Sequence, residues 1–368
     1  MSEVKIKLAA GTNVGLIRQN NEDNFVVSND LSTSEWLIPQ AGPFADLGEY
    51  GALLVVADGM GGANAGEVAS AIAVETIQEK FTPELLKKAI SDDKSAQEFM
   101  KEVIKQADLN ILQHSKEDSS TQGMGTTIVM AWLLGDKAYV CWCGDSRCYV
   151  LNKRNGLIQL SKDHSYVQEL VDKGELSPEL MHDHPLSNVI TRCLGDVDNR
   201  ANPETRIYQL HNGDIIMLCS DGLCGLCHDD QILDVMIKFH EDPMECKNEL
   251  ISAALSCGGY DNVTVAIANI ETDEEEEIAQ EEDSDTEEEK KEEEADEGES
   301  EEELSSTIRT EVIGHRSHKF RNLMLLLLML IVAAGAYIWL AKDCEPLRQS
   351  ITTAVAPYWE KVCSFINK

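Results

Sequence analysis

The chain has 368 residues and a formal net charge of −35, with 66 Asp and Glu against 31 Lys and Arg. Such a balance argues against nucleic-acid binding, which needs basic surface. Eleven cysteines, an odd number with no small-scaffold spacing, fit reduced thiols in a cytosolic domain better than a disulfide framework.

The charge is unevenly placed. Residues 271–303 hold 22 Asp and Glu and 2 Lys, which leaves about −15 for the remainder. Residues 1–270 alternate apolar runs with Gly, Asn and Asp turns, as a globular domain does. The opening MSEVKIKLAAG has no apolar stretch of the kind a signal peptide carries. In chain order, strands are predicted at 52–57, 127–134, 138–142, 148–152, 214–219 and 263–270, several rich in Val and Ile. Helices are predicted at 66–80, 94–115, 166–173, 230–239 and 246–256. The three strands between 127 and 152 are joined too tightly for parallel crossovers, so an antiparallel meander is expected. The pattern reads as an α+β layered domain with sheet packed between helices.

Six acidic residues punctuate this pattern. They are Glu22 and Asp23 in RQNNEDNF, Asp58 in VVADGMGG, Asp145 in CGDSR, Asp221 in LCSDGL and Asp261 in GGYDN. Most follow or adjoin an apolar run, where carboxylates are expected to converge at one edge of a sheet. Hard oxygen ligands with no Cys or His among them suit Mg²⁺ or Mn²⁺, not Zn²⁺. Two such ions side by side can activate a water and hold a phosphate. One Asp-Gly pair is usually a hairpin turn. Three carboxylates on three strand ends, each with small neighbours, are harder to explain that way. Arg18, four residues before Glu22, could grip phosphate oxygens bidentately, which Lys cannot.

Two cysteine patterns compete with this reading. Cys141 to Arg147 has the Cys-x₅-Arg spacing of cysteine-dependent tyrosine phosphatases, where a thiolate attacks phosphorus above a helix N-terminus. The residues after Arg147 read CYVLN, a strand and not a helix start, so a hairpin holding Asp145 is expected instead. Cys224-x-x-Cys227 has no second pair to complete a zinc site and reads as buried or idle thiols.

In this order, RQNNEDNF, VVADGMGGANAGEVAS, MGTTIV, GDSRCYVL, LCSDGL and GGYDNVTV resemble the bacterial branch of the type 2C metal-dependent Ser/Thr protein phosphatases, over roughly residues 6–270. The resemblance implies a four-layer α-β-β-α sandwich of two antiparallel sheets flanked by helices. It implies a centre of two Mn²⁺ or Mg²⁺ ions with a third, weaker one. Carried over by position, Asp58 would bridge both ions and the Gly59 carbonyl would bind the second. Asp221 and Asp261 would hold the first ion, Glu22 the second, Asp23 would anchor its waters, and Asp145 would hold the third. Arg18 would bind the substrate phosphate, Asn262 would support the site, and residues 161–195 would form a flap shaping substrate access. The implied activity is hydrolysis of phospho-Ser/Thr on proteins by metal-activated water, opposing Ser/Thr kinases.

One departure stands out. Animal members carry a His after the Asp-Gly as a proposed general acid, and here that position is Met60. His164, His182 and His184 lie in the flap segment and read as structural or surface residues. A domain of this kind could instead bind phosphoproteins without turnover. Degenerate members usually lose metal carboxylates, and this chain retains every matched position.

Beyond the domain, residues 271–304 are too acidic to bury a core and are expected to be disordered, within a linker and basic segment running to 321. Residues 322–341, NLMLLLLMLIVAAGAYIWLA, are uncharged and long enough to span a hydrocarbon core of roughly 30 Å as a helix. Arg309, Arg316, Lys319 and Arg321 precede it, and Lys342 and Arg348 follow. The positive-inside rule then places 1–321 in the cytoplasm and the tail 342–368 across the membrane.

Overall fold

The computed structural model describes residues 4–33, 36, 43–61 and 65–273. The acidic linker beyond residue 273, the predicted membrane helix at 322–341 and the tail at 342–368 lie outside the described residues. Among the described residues, no helix is long and apolar enough to cross a membrane.

The elements run β1 (Val4–Asn13), β2 (Asp23–Ser28), β3 (Ala45–Asp46), β4 (Ala52–Met60), α1 (Ala65–Lys80), α2 (Pro83–Ala89), α3 (Asp93–Glu117), β5 (Gly125–Thr126), β6 (Ile128–Leu134) and β7 (Lys137–Cys143). They continue as β8 (Arg147–Asn152), β9 (Gly156–Gln159), α4 (Tyr166–Asp172), β10 (Glu204–Gln209), β11 (Ile215–Cys219), α5 (Asp221–Cys224), α6 (Asp229–Lys238), α7 (Pro243–Ser256) and β12 (Val263–Thr272). Every predicted helix and strand is present. The strands β1, β2, β3, β5, β9 and β10 were not expected. β10, with sequence ETRIYQ, is half-buried and carries no apolar run to signal it.

Two antiparallel sheets form, one in the order β3-β1-β12-β11-β8-β9 and the other β10-β7-β6-β4-β2, with β5 pairing β4. Period-2 side-chain alternation explains their layering. In β6, Ile128, Met130 and Trp132 join one core with α1 and α3, while Val129, Ala131 and Leu133 join a second core between the sheets. In β12, Val265 and Ile267 pack toward α6 and α7, while Ala266 and Ala268 face the inter-sheet core. Strands buried on both faces read as continuous apolar runs, which is why these were legible. The stack is therefore helix, sheet, sheet, helix, as the resemblance implied. Fully burying each large aliphatic side chain contributes about 1.5–3 kcal/mol. Trp132 anchors the first core, edge-on to Phe81 at 5.5 Å, with its Nε1 donating to the Tyr50 carbonyl at 2.8 Å.

The expected meander is only half right. β6 and β7 pair antiparallel, from Ile128 opposite Cys143 to Leu134 opposite Lys137. β8 does not continue that sheet; it pairs with β9 and β11 in the other one. The chain therefore crosses between sheets at Gly144-Asp145-Ser146, and no hairpin holds Asp145. A loop this short resembles a hairpin turn in sequence. Here Gly144 takes φ of +127°, and a Cβ at that position would run into the Thr127 side chain.

Candidate metal centre

The six acidic residues come from both sheets and meet at one end of the sandwich, which corrects the expectation of a single sheet edge. Asp23 opens β2 and stands opposite Asp58, which lies inside β4 and not past its end. Asp145 sits in the crossing between sheets. Asp221 follows β11 as the first residue of the short helix α5, and Asp261 precedes β12. Asp145, Asp221 and Asp261 line one cavity of about 170 Å³.

Their electrostatics are those of crowded like charges. Burial, then the neighbouring carboxylates of Asp221, Asp23 and Asp145, push the Asp58 carboxyl well above the usual carboxylate range. Burial and Asp221 do the same to Asp145, and burial and Asp261 raise Asp221. Burial also raises Glu22. Asp23 is pushed up to about 7 by burial, although hydroxyls of Thr264 and Ser220 hydrogen-bond to it. Proximity of like charges and desolvation both disfavour the ionised form. A cation placed among these groups would reverse that balance. The donors are hard oxygens with no thiol or imidazole in the set, and they fit Mg²⁺ or Mn²⁺.

Hydroxyl side chains that the sequence did not single out hold the cluster in place. The Asp58 carbonyl accepts the Thr127 N–H at 2.8 Å and the Thr126 hydroxyl at 2.9 Å. Thr127 Oγ1 in turn lies 2.7 Å from Ser146 Oγ, tying the Asp58 strand to the crossing that bears Asp145. Asp23 Oδ2 accepts from Ser220 Oγ at 2.8 Å and from Thr264 Oγ1 at 2.6 Å, which joins the two sheets beside the site. These hydroxyls are buried, and a buried hydroxyl beside an acidic motif was the available signal. Asn262, expected to support the site, is buried and makes three hydrogen bonds to residues 14–22.

Gly59 and Gly66 bring backbone against backbone. A Cβ on Gly59 would collide with the carbonyls of Gly66 and Glu22, and a Cβ on Gly66 would lie 3.0 Å from the Glu22 carboxyl carbon. Glu22 is thus seated over the turn that follows Asp58, with its carbonyl accepting from Gly59 N and Ser70 Oγ. Arg18 lies at the rim, half-exposed, with Nη2 donating to Asp261 Oδ2 at 2.6 Å.

The thiol alternative fails on geometry. Cys141 is fully buried in β7 among the residues packed against α1 and α3. Burial raises its thiol far above neutral pH. Arg147 belongs to the opposite sheet and is bound to Asp163 through Nε at 2.9 Å and Nη2 at 2.7 Å. Cys227 faces Cys257, with sulfurs 3.6 Å apart, and not Cys224. His164 is structural, its Nδ1 accepting the Gly144 N–H at 3.1 Å. The segment between β9 and β10 closes on itself through an antiparallel bridge Ser165–Ile190 and returns to the body through the bridge Thr126–Leu194.

Residues 44–256 match the family model described as protein phosphatase 2C. The chain belongs to the protein phosphatase 2C family. Arg18, Glu22, Asp23 and Asp261 fall outside that matched stretch, so it is the fold that gathers them with Asp58. The chain is 31% identical over 256 residues to the serine/threonine phosphatase Stp of Listeria welshimeri, covering 70% of this chain and 92% of the relative. Among solved structures, the serine/threonine phosphatase PstP/Ppp of Mycobacterium tuberculosis aligns with a TM-score of 0.60 at 31% identity, covering 73% of this chain and 99% of that one. The catalytic domain of PstP in complex with two manganese ions aligns with a TM-score of 0.58 at 29% identity, covering 73% and 99%. The two sheets flanked by helices are the phosphatase 2C fold.

Proposed function

We propose that this phosphatase 2C domain hydrolyses phosphoserine and phosphothreonine on proteins through a divalent metal centre built on Asp58. The observation that carries the reading is the convergence of Glu22, Asp58, Asp145, Asp221 and Asp261 from two sheets, with the carboxyl groups of Glu22, Asp58, Asp145 and Asp221 raised by burial and by neighbouring carboxylates. In this reading Asp58 and the Gly59 carbonyl, Asp221 and Asp261, and Glu22 with Asp23 behind it hold two ions, Mn²⁺ or Mg²⁺, and Asp145 takes a third. Bound there, such ions make water acidic near neutral pH and neutralise charge on phosphoryl oxygens.

The remaining roles belong to the chain. Arg18 stands at the rim on a half-exposed side chain paired with Asp261, and its remaining N–H donors would bind the substrate's phosphate oxygens. Met60 supplies no proton. General acid help is typically worth about 10²–10⁴-fold, so the leaving alkoxide takes its proton from elsewhere. Substrates are the products of protein Ser/Thr kinases.

The domain is proposed to work at a membrane. Residues 322–341 would cross it once, with the preceding Arg309, Arg316, Lys319 and Arg321 keeping residues 1–321 in the cytoplasm. The intervening acidic linker would be extended by self-repulsion. Membrane fractionation with protease protection tests this arrangement; full release of the intact chain in carbonate would end it.

The deciding experiment is phosphate release from a phosphothreonine peptide by the purified chain with Mn²⁺, with Mg²⁺ and with EDTA. Metal-dependent turnover abolished by EDTA is expected. Turnover that survives EDTA but not a thiol alkylator would move the chemistry to Cys141. No turnover from folded, metal-loaded protein would leave only a binding role.

A further inference from the structure

We propose that His182, Asp183 and His228 form a second metal site, apart from the carboxylate centre, for a borderline divalent cation such as Zn²⁺ or Co²⁺. One ligand atom from each of the three lies within 4.8 Å of the others. Two imidazoles and a carboxylate suit these ions, whereas the centre around Asp58 offers oxygen alone. Three protein ligands leave a coordination position open to water or an anion.

The two imidazole rings face each other at 3.8 Å between centroids and 32° between planes. His182 Nδ1 lies 3.5 Å from Asp183 Oδ1, beyond the length of a good hydrogen bond. His182 Nε2 is enclosed and has no hydrogen-bond partner among the described residues. Buried polar atoms are rarely left unpaired, so this ring has capacity for a partner that the described residues do not supply. A cation would occupy the space between the three groups, and small shifts of exposed side chains would complete its shell.

The location gives the site a consequence. His182 follows the single turn Pro178–Leu180, within the segment between β9 and β10. His228 precedes α6, where its N–H donates to Gln231 Oε1 at 3.0 Å and fixes the loop. An ion held by both would fasten that segment to the body. His182 also borders the cavity that Asp145, Asp221 and Asp261 line, so the fastened segment is a wall of the reaction cavity. None of the three ligands belongs to the carboxylate centre, and the inference does not depend on the proposed phosphatase chemistry.

Co²⁺ titration of the full chain, saturated beforehand with Mn²⁺, tests the site. Imidazole-ligated Co²⁺ of low coordination number absorbs visible light far more strongly than Co²⁺ surrounded by six oxygens, so ions on carboxylates contribute little. The expected result is one absorbing equivalent in the parent chain. Its affinity should fall about tenfold or more in both His228→Ala and Asp183→Asn, and stay unchanged in His240→Ala. Thermal melts of each variant with Mn²⁺ check that it is folded, and Asp183→Asn, at an exposed position, serves if His228→Ala is not. The proposal is overturned if the parent chain gives no such band, or if the band and its affinity persist in the folded variants.

Discussion

Asn262 Oδ1 accepts the backbone N–H of Glu22 at 2.7 Å, across 240 residues of chain. The same side chain donates through Nδ2 to the Val14 carbonyl at 2.9 Å and the Asn20 carbonyl at 3.0 Å. One buried amide therefore seats the loop that carries Arg18 and Glu22 against the strand that begins beside Asp261. Asn262→Ala would remove all three hydrogen bonds, at a cost of roughly 1–3 kcal/mol. A larger effect is expected on the Mn²⁺ requirement, raised about 10–100-fold because Glu22 loses its support. Turnover measured against Mn²⁺ concentration, beside a thermal melt, separates the two effects. An unchanged Mn²⁺ requirement would mean that Glu22 needs no such anchor.

Asp58 is fixed by its backbone, through Thr126 and Thr127, while its carboxyl meets that of Asp221. Asp58→Asn should therefore fold normally and lose turnover. It should also stabilise the metal-free protein, because one member of a mutually repelling set loses its charge. Near wild-type rates from the folded variant would remove Asp58 from the bridging position.

Metal-free stability should fall as pH rises. Asp23 is held up at about 7 in the fold, against an ordinary value of 3.8, and Glu22, Asp58, Asp145 and Asp221 are shifted in the same direction. The folded chain thus binds more protons than the unfolded chain between about pH 4 and 7, and the associated stability is lost as pH climbs through that window. A bound cation takes the place of the protons, so Mn²⁺ should raise the melting temperature more at pH 8 than at pH 5. Melts in EDTA and in Mn²⁺ at both values check the sign. A melting temperature in EDTA that rises from pH 5 to pH 8 would contradict it.

Cys141→Ser should leave turnover largely intact. The sulfur lies in the core against α1 and α3, so the replacement buries a hydroxyl there and costs about 1–3 kcal/mol of stability. A folded variant with no activity would restore the thiol mechanism that the geometry disfavours.

Deleting residues 274–304, past the end of β12 at Thr272, should alter activity on membrane-bound phosphoproteins and leave soluble phosphopeptides unaffected, since a charged linker sets reach and not chemistry. Parallel kinetics on a soluble peptide and on the same peptide anchored to vesicles make the comparison. Equal effects on both substrates would argue that the linker acts on the domain itself.

Much of this was legible from residue type and spacing alone. The doubly buried strands β4, β6 and β12 announced themselves as unbroken apolar runs, because both of their faces meet a core. The acidic residues were visible because Asp-Gly and Asp-Asn steps recur beside those runs, and their oxygen-only chemistry already pointed to Mg²⁺ or Mn²⁺. Tertiary structure alone decided which carboxylates share a space. Local pattern cannot distinguish a hairpin from a crossing between sheets, so only the pairing of β8 with β11 places Asp145. Nor does it reveal that Ser220 and Thr264 close on Asp23 from the opposite sheet, or that His182 meets His228. Those relationships join residues tens to hundreds of positions apart, and they exist only because two sheets fold face to face over a common core.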